Sequence, residues 1–108
     1  VIREKVGHGI GRNLHEPPEV PNYGRRGKGH ILQEGMTIAI EPMINLGSRE
    51  VVMKKDGWTL HTRDLKPSAH YEHTVLVRKA EPEVLSDHKR VEEVVKNNPN
   101  LTEVWRKR

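Results

Sequence analysis

The segment GMTIAIEPMINLG, residues 35–47, holds a short apolar run that ends in a glutamate and a proline. Its Ile and Met residues alternate with other residues, which predicts a β-strand over Met36–Asn45. Pro42 lacks the N–H that a strand ladder needs, so we expect an edge or a bulge at that point. A carboxylate at the inner end of this strand, that of Glu41, is costly to bury unless it is paired or coordinated.

Upstream of this strand lies VGHGIGRNLHEPPEVPNYG, residues 6–24, which contains two histidines seven positions apart among many glycines and prolines. Its composition suits neither a helix nor a long strand. We expect Val1–Val6 to be the end of a strand that enters a glycine-rich turn. Positions 16–30 are predicted to form a loop, because prolines and glycines interrupt them repeatedly.

Downstream, EVVMKKDGWTLHTRD (residues 50–64) predicts a β-hairpin. Its arms are Val51–Lys54 and Trp58–Thr62, and the dipeptide Asp56-Gly57 is typical of a type I′ turn. A further strand is predicted from about His70 to Arg78. PEVL, residues 82–85, is a candidate short strand, and the spacing of valines predicts a helix over Lys89–Asn97.

The predicted fold class is therefore α+β, with antiparallel strands and a C-terminal helix. We expect residues 1–79 to form the main unit and residues 80–108 to form a short strand followed by a helical, basic tail. The chain has 108 residues, of which 33% are hydrophobic, and no Phe. Because it begins at Val1 and has few large apolar residues, we expect it to be part of a larger protein or assembly.

Composition excludes several classes of site. Without cysteine there is neither a disulfide nor a thiolate metal site, so His, Asp and Glu must hold any metal ion. No apolar run approaches the length of a membrane span, so we expect no membrane partner and a cytoplasmic setting. The net charge of +4 permits contact with nucleic acid or ribosomes, although a surface of mixed charges more often is merely solvated.

Three residues in separate polar clusters form a candidate metal-ligand set. Glycines on both sides of His8 allow close backbone approach, and Glu41 and Glu72 each lie at the end of a predicted strand. Two carboxylates and one imidazole suit divalent Mn, Fe, Co or Zn. Carboxylates can also bridge two ions about 3–4 Å apart, which together activate water. The other histidines at positions 30, 61 and 88 are interpreted as solvated.

At these residues the sequence resembles the C-terminal half of type I methionine aminopeptidases, which have the creatinase/aminopeptidase ("pita-bread") fold. The resemblance rests on GHGIGRNLHEPPEVPNYG, GMTIAIEPMIN, DGWTLHTRD and SAHYEHTVLV, in the family's order and spacing. It extends from Val1 to about Val77. It implies metal-dependent removal of the N-terminal methionine from nascent peptides.

The resemblance also implies roles for individual residues. His8, Glu41 and Glu72 correspond to metal ligands, with Glu72 bridging two ions and Glu41 acting as general base. His15 corresponds to a histidine that contacts the substrate amide and stabilises the tetrahedral intermediate. Trp58 corresponds to an aromatic wall of the methionine pocket. Leu14 lies where the family usually has an aromatic residue beside that pocket.

The same family requires two aspartate ligands and a further substrate-contacting histidine from an N-terminal half that this sequence does not match. Only three of five ligands are present, because the aspartates at positions 56, 64 and 87 stand in no such motif. We therefore expect the chain alone to be inactive and to hold an incomplete site for two divalent ions, Co, Mn, Fe or Zn. The missing half is an expected partner.

Two alternatives remain open from the sequence. An Xaa-Pro peptidase of the same fold shares the His and Glu pattern, but Met43-Ile44 after the EP dipeptide and the DGW motif favour the methionine enzymes. The second is a non-catalytic half that binds a ribosome or a partner protein. The absent aspartates and the basic WRKR end favour it, whereas the intact metal-ligand set argues against it.

Overall fold

The computed structural model describes residues 1–99, which form antiparallel strands and one helix, as the sequence predicts. In chain order these elements are β1 (Gly7–Ile10), β2 (Glu16–Val20), β3 (Thr37–Ile40), β4 (Met43–Asn45), β5 (Val51–Met53), β6 (Leu60–Thr62), β7 (Ser68–His70), β8 (His73–Leu76), β9 (Glu83–Val84) and α1 (Lys89–Asn97). The largest sheet has the strand order β2-β1-β3-β8-β9. Two smaller two-stranded sheets pair β4 with β7 and β5 with β6.

One long hairpin organises the chain from β3 to β8. Its three ladders place Ile40 opposite His73, Met43 opposite His70 and Val51 opposite Thr62. The register does not slip by a single residue between these ladders. The hairpin predicted over residues 51–62 is therefore only the outer end of a much longer one.

Both arms of this hairpin lose their regular pairing at the same level. Residues 41–42 separate β3 from β4, and residues 71–72 separate β7 from β8. The single strand predicted over Met36–Asn45 is thus two strands interrupted at Pro42, where its missing N–H led us to expect an irregularity. The strand predicted from about His70 to Arg78 is wrong in extent, because it breaks before His73 and ends at Leu76.

The beginning of the chain corrects two predictions. Val1–Val6 contains no strand, and the first strand starts at Gly7. The predicted loop over positions 16–30 instead begins with β2, which contains a cis Pro17-Pro18 peptide bond. Prolines are tolerated there because β2 lies at the edge of the sheet, where the N–H groups of one side need no partner.

The glycines beside His8 serve close packing in the sheet. A Cβ atom at Gly7 would overlap the carbonyl oxygen of Ala39, and one at Gly9 would overlap that of Pro17. β1 consequently packs so closely against β2 and β3 that only glycine fits at these two positions. The sequence predicted this close approach, and the structure identifies the backbone atoms involved.

The core among the described residues is small. The buried hydrophobic residues are Ile2, Ile38, Ala39 and Val75, which lie at the chain start and on β3 and β8. Further along the same hairpin, Ile44 and Leu46 are 54% and 76% exposed. The largest sheet therefore buries its centre, whereas the part of the hairpin nearer its tip leaves apolar side chains exposed.

The tip of the hairpin uses a different turn from the one predicted. The Gly57 N–H donates to the carbonyl oxygen of Lys54 at 3.0 Å, and Gly57 has a φ of 70°. A type I′ turn also needs a positive φ at the preceding residue, which Asp56 lacks. The turn is therefore type I followed by a left-handed glycine, and the loop is correspondingly longer.

The carboxylate of Asp56 holds this turn together. It accepts hydrogen bonds from the backbone N–H groups of Trp58 and Thr59 at 3.0 and 2.9 Å, and from the Thr59 hydroxyl at 2.6 Å. The Thr59 hydroxyl, followed by the two N–H groups, lowers the pKa of Asp56 below its ordinary value. The ionised form is thus favoured by folding.

We expect the turn to loosen in acid. A carboxylate with a lowered pKa stabilises the folded turn above its ordinary pKa and loses that effect as the pH falls through the lowered value. The Asp56→Asn variant should remove this dependence, because an amide does not titrate in this range. NMR shifts of the Thr59 amide between pH 7 and pH 2 measure it. An acid transition of equal size in both proteins would contradict the assignment.

The C-terminal part confirms two sequence predictions. β9 lies within PEVL, and α1 has the predicted bounds. The helix exposes Val91 and Val94 at 60% and 59%. Within residues 1–99, no helix has the length and apolar character needed to span a bilayer. The predicted basic end of the tail, residues 100–108, lies outside the described residues.

Candidate metal centre

The structure brings His8, Glu41 and Glu72 together. One ligand atom from each lies within 4.8 Å of the other two. His8 belongs to β1, Glu41 directly follows β3, and Glu72 directly precedes β8. Because these three strands are antiparallel neighbours in the middle of the sheet, the start of β1, the end of β3 and the start of β8 lie side by side, and the three residues meet there.

The constant register of the long hairpin accounts for the approach of the two carboxylates. Ile40 faces His73 on one side of the break and Met43 faces His70 on the other. Glu41 and Glu72 therefore occupy opposed positions where the ladder opens. The Tyr71 N–H donates to the carbonyl oxygen of Pro42 at 3.2 Å, which keeps the two arms together at this level.

The burial of the cluster differs between its members. The side chains of His8 and Glu41 are 13% and 14% exposed, whereas Glu72 is exposed. Among residues 1–99, Glu72 has neither an ion pair nor a side-chain hydrogen bond. Two facing carboxylates repel each other, so a cation at this point is electrostatically favoured.

Hydrogen bonding fixes the orientation of the His8 imidazole. Its Nδ1 lies 2.9 Å from the carbonyl oxygen of Gly9, which can only accept, so Nδ1 carries the proton. Nε2 is then the nitrogen with a free lone pair in the neutral ring, and it lies 3.4 Å from Oε1 of Glu41. A backbone carbonyl that orients a histidine in this way is typical of metal ligands. The donor set fits a divalent ion of the Mn to Zn series.

His15 lies beside the cluster without belonging to it. It sits in the loop between β1 and β2, is exposed, and places its ring centroid 4.3 Å from that of His8. Within residues 1–99 its side chain makes no hydrogen bond or ion pair. An imidazole in this position is free to contact a molecule that approaches the cluster.

The two residues predicted to line a substrate pocket are solvent-exposed. Leu14 is 68% exposed and precedes His15 on the same loop. Trp58 is 88% exposed in the turn at the hairpin tip. Among the described residues, neither side chain is joined to the cluster by a hydrogen bond, ion pair or ring contact.

Sequence reasoning missed His70. Its Nε2 lies 3.5 Å from Oε2 of Glu41, so the two oxygens of this carboxylate face two different imidazoles. His70 ends β7, and only the register with β4 reveals that it lies beside Glu41. No motif spacing pointed to it.

A second histidine group surrounds Tyr71, the residue before Glu72, and corrects one interpretation. His88, predicted to be merely solvated, pairs its Nδ1 with the Tyr71 hydroxyl at 2.8 Å. His73 donates from Nδ1 towards the carbonyl oxygen of Ser86 at 3.1 Å. These contacts attach the start of α1 to the segment that carries Glu72, so they support the cluster from outside.

Comparison with known proteins assigns the chain to a family. Residues 1–79 match the profile described as metallopeptidase family M24. The chain belongs to this family. The methionine aminopeptidase of Clostridium perfringens is 57% identical over 86 residues, and methionine aminopeptidase 1 of Bacillus subtilis is 49% identical over the same length. These alignments cover 80% of this chain, which spans about a third of the length of its curated relatives (34% and 35%).

Solved structures agree with the family assignment. Methionine aminopeptidase from Thermotoga maritima is 52% identical with a TM-score of 0.76, over 80% of this M24 chain and 34% of its own. That from Rickettsia prowazekii is 49% identical with a TM-score of 0.74, over 77% and 34%. The predicted resemblance and the predicted α+β fold of pita-bread type are therefore confirmed.

Proposed function

We propose that this M24 chain contributes one side of the metal centre of a methionine aminopeptidase, an enzyme that hydrolyses the N-terminal methionine from peptides. The observation that supports this best is the cluster of His8, Glu41 and Glu72 in a chain 57% identical to such an enzyme. These three ligands come from adjacent strands of one unit, for which we propose the bounds 1–79. Among the described residues, 80–99 attach to it through the pairing of β9 with β8 and through the contacts of Ser86 and His88.

Each residue of the cluster has a distinct task in this proposal. His8 and Glu72 are ligands, and the opposed position of Glu72 suits a carboxylate shared by two ions. Bound divalent ions supply a Lewis acid for the scissile carbonyl and an activated water. Glu41 is a ligand and the general base that takes the proton of the attacking water. His15 donates a hydrogen bond to the substrate carbonyl as negative charge develops there.

Two exposed residues are proposed to contact the methionine side chain of the substrate. Leu14 and Trp58 would line the methionine pocket, and both are exposed and available for contact. Trp58 lies at the hairpin tip, and its side chain makes no hydrogen bond, ion pair or ring contact with the cluster among the described residues, so we propose that further protein completes the pocket. We propose that the peptide substrate is the N-terminus of a nascent chain and that the activity is cytoplasmic, near the ribosome.

The cluster lacks the charge to hold two ions by itself. Two carboxylates and one imidazole leave a pair of divalent ions strongly under-neutralised. We propose that two aspartates and a further histidine are supplied by protein outside these 108 residues. The complete centre then holds two ions of Co, Mn, Fe or Zn.

Complementation tests this proposal. The chain is co-expressed with the preceding two thirds of the Clostridium perfringens relative and assayed with Mn²⁺ for release of methionine from Met-Ala-Ser. We expect release from the combined pieces and none from either piece alone. The combination carrying His8→Ala should be inactive. No release from correctly associated pieces, or cleavage of Ala-Pro peptides instead, would contradict the proposal.

A further inference from the structure

Glu41 is held between two imidazoles. Its Oε1 lies 3.4 Å from Nε2 of His8, and its Oε2 lies 3.5 Å from Nε2 of His70. Its side chain is 14% exposed, and within residues 1–99 these two rings are the only ion-pair or hydrogen-bond partners of its carboxylate. The two oxygens of this carboxylate thus face two different imidazoles, that of His8 within the cluster and that of His70 outside it.

The backbone fixes the position of His70 more firmly than its exposed side chain suggests. His70 pairs with Met43 in the β4–β7 ladder, two residues beyond Glu41. The next residue, Tyr71, donates its N–H to Pro42. Backbone pairing therefore holds the two arms of the hairpin together on both sides of the break. The imidazole of His70 is 48% exposed, but the backbone that carries it is held in place close to Oε2 of Glu41.

We propose that His70 is a positioning residue that sets which oxygen of Glu41 the metal centre receives. The terminal torsion of a glutamate is broad and roughly two-fold, so either oxygen of a free carboxylate can turn towards the cluster. A donor on Oε2 fixes the carboxylate plane and leaves Oε1 for the ion and for proton transfer. At 3.5 Å the present contact is longer than a normal hydrogen bond, and a shift of a few tenths of an ångström forms that bond.

This role needs a donor and not a charge. A neutral imidazole with its proton on Nε2 suffices, and so does a side-chain amide of similar reach. Partners that orient a ligand from outside commonly change metal affinity or activity by about 10–100-fold when they are removed. The inference rests on the proposed function only for its catalytic part, since the effect on metal affinity concerns the chain alone.

The test compares His70→Leu with His70→Gln in the full 108-residue chain. Mn²⁺ affinity is measured by calorimetry, and kcat and KM are measured for the complemented enzyme. We expect His70→Leu to weaken Mn²⁺ binding about 10–100-fold and to lower kcat at nearly constant KM. His70→Gln should recover most of both. His61→Leu, a histidine on β6 outside the cluster, is the matched control and should leave both unchanged.

The outcomes separate the two proposals. Equal Mn²⁺ affinity in the Leu variant and the unaltered chain would overturn the role of His70, as would equal losses in the Leu and Gln variants or no Mn²⁺ binding by the unaltered chain. Circular dichroism of each variant shows whether the fold is retained. If the complemented enzyme releases no methionine while the Leu and Gln variants still differ in Mn²⁺ affinity, the proposed function fails and the role of His70 stands.

Discussion

Replacing Glu72 with glutamine is expected to remove metal binding from the centre. Glu72 stands opposite Glu41 where the hairpin ladder opens, and glutamine keeps its size while removing the charge that a cation requires. A direct ligand should matter more than an outer partner, so we expect Mn²⁺ affinity to fall by at least about 100-fold. Methionine release by the complemented enzyme should fall with it. Calorimetry and metal content after gel filtration measure the first effect.

Glu81→Gln is the matched control for this experiment. Glu81 is exposed in the loop between β8 and β9, and among residues 1–99 it makes no ion pair. The same loss of one negative charge at that position should leave Mn²⁺ affinity within about twofold, because a distant exposed charge is screened by salt. A similar loss in both variants would mean that net charge, and not ligation, governs binding.

Replacing His15 with alanine is expected to separate turnover from metal content. Its ring packs beside His8 but has no hydrogen bond within the described residues, so its removal takes no hydrogen bond or ligand from the cluster. Mn²⁺ affinity should therefore remain close to that of the unaltered chain. Loss of a donor positioned for a developing negative charge commonly costs about 10²–10³ in rate. We expect kcat of the complemented enzyme to fall by that factor.

His30→Ala provides the control, because His30 is exposed in the loop before β3 and stands in none of the motifs. It should change neither quantity. The ratio of metal bound to protein, measured beside kcat for both variants, decides whether His15 is a metal ligand or a residue that contacts the substrate. If His15→Ala loses metal as completely as Glu72→Gln, His15 is a ligand and its proposed contact with substrate is wrong.

The sequence predicted those elements whose local signals agree with their surroundings. The helix over Lys89–Asn97 follows from its valine spacing, and the Asp56-Gly57 dipeptide correctly marked a hairpin tip. β2 was missed because EPPEV has the composition of a loop, and only its position at the sheet edge makes its prolines acceptable. The turn type was wrong because Gly57 alone adopts a positive φ.

The three members of the candidate site, and part of their geometry, could be named from the sequence. His8, Glu41 and Glu72 were recognised from separate motifs, and the structure brings them within 4.8 Å. Counting residue pairs inward from the hairpin tip places Glu41 opposite Glu72, so residue spacing alone carries that part of the geometry. The same count places His70 opposite Met43, but the contact of its imidazole with Oε2 of Glu41 depends on side-chain directions that residue spacing does not give.

The most direct test of the central claim is a calorimetric titration of the unaltered 108-residue chain with Mn²⁺. The claim is that His8, Glu41 and Glu72 form one side of a two-ion centre whose other ligands lie outside these residues. We expect no more than one ion per chain, bound weakly, and loss of that binding in Glu72→Gln. Two tightly bound ions per chain, or an isotherm that Glu72→Gln leaves unchanged, would contradict it.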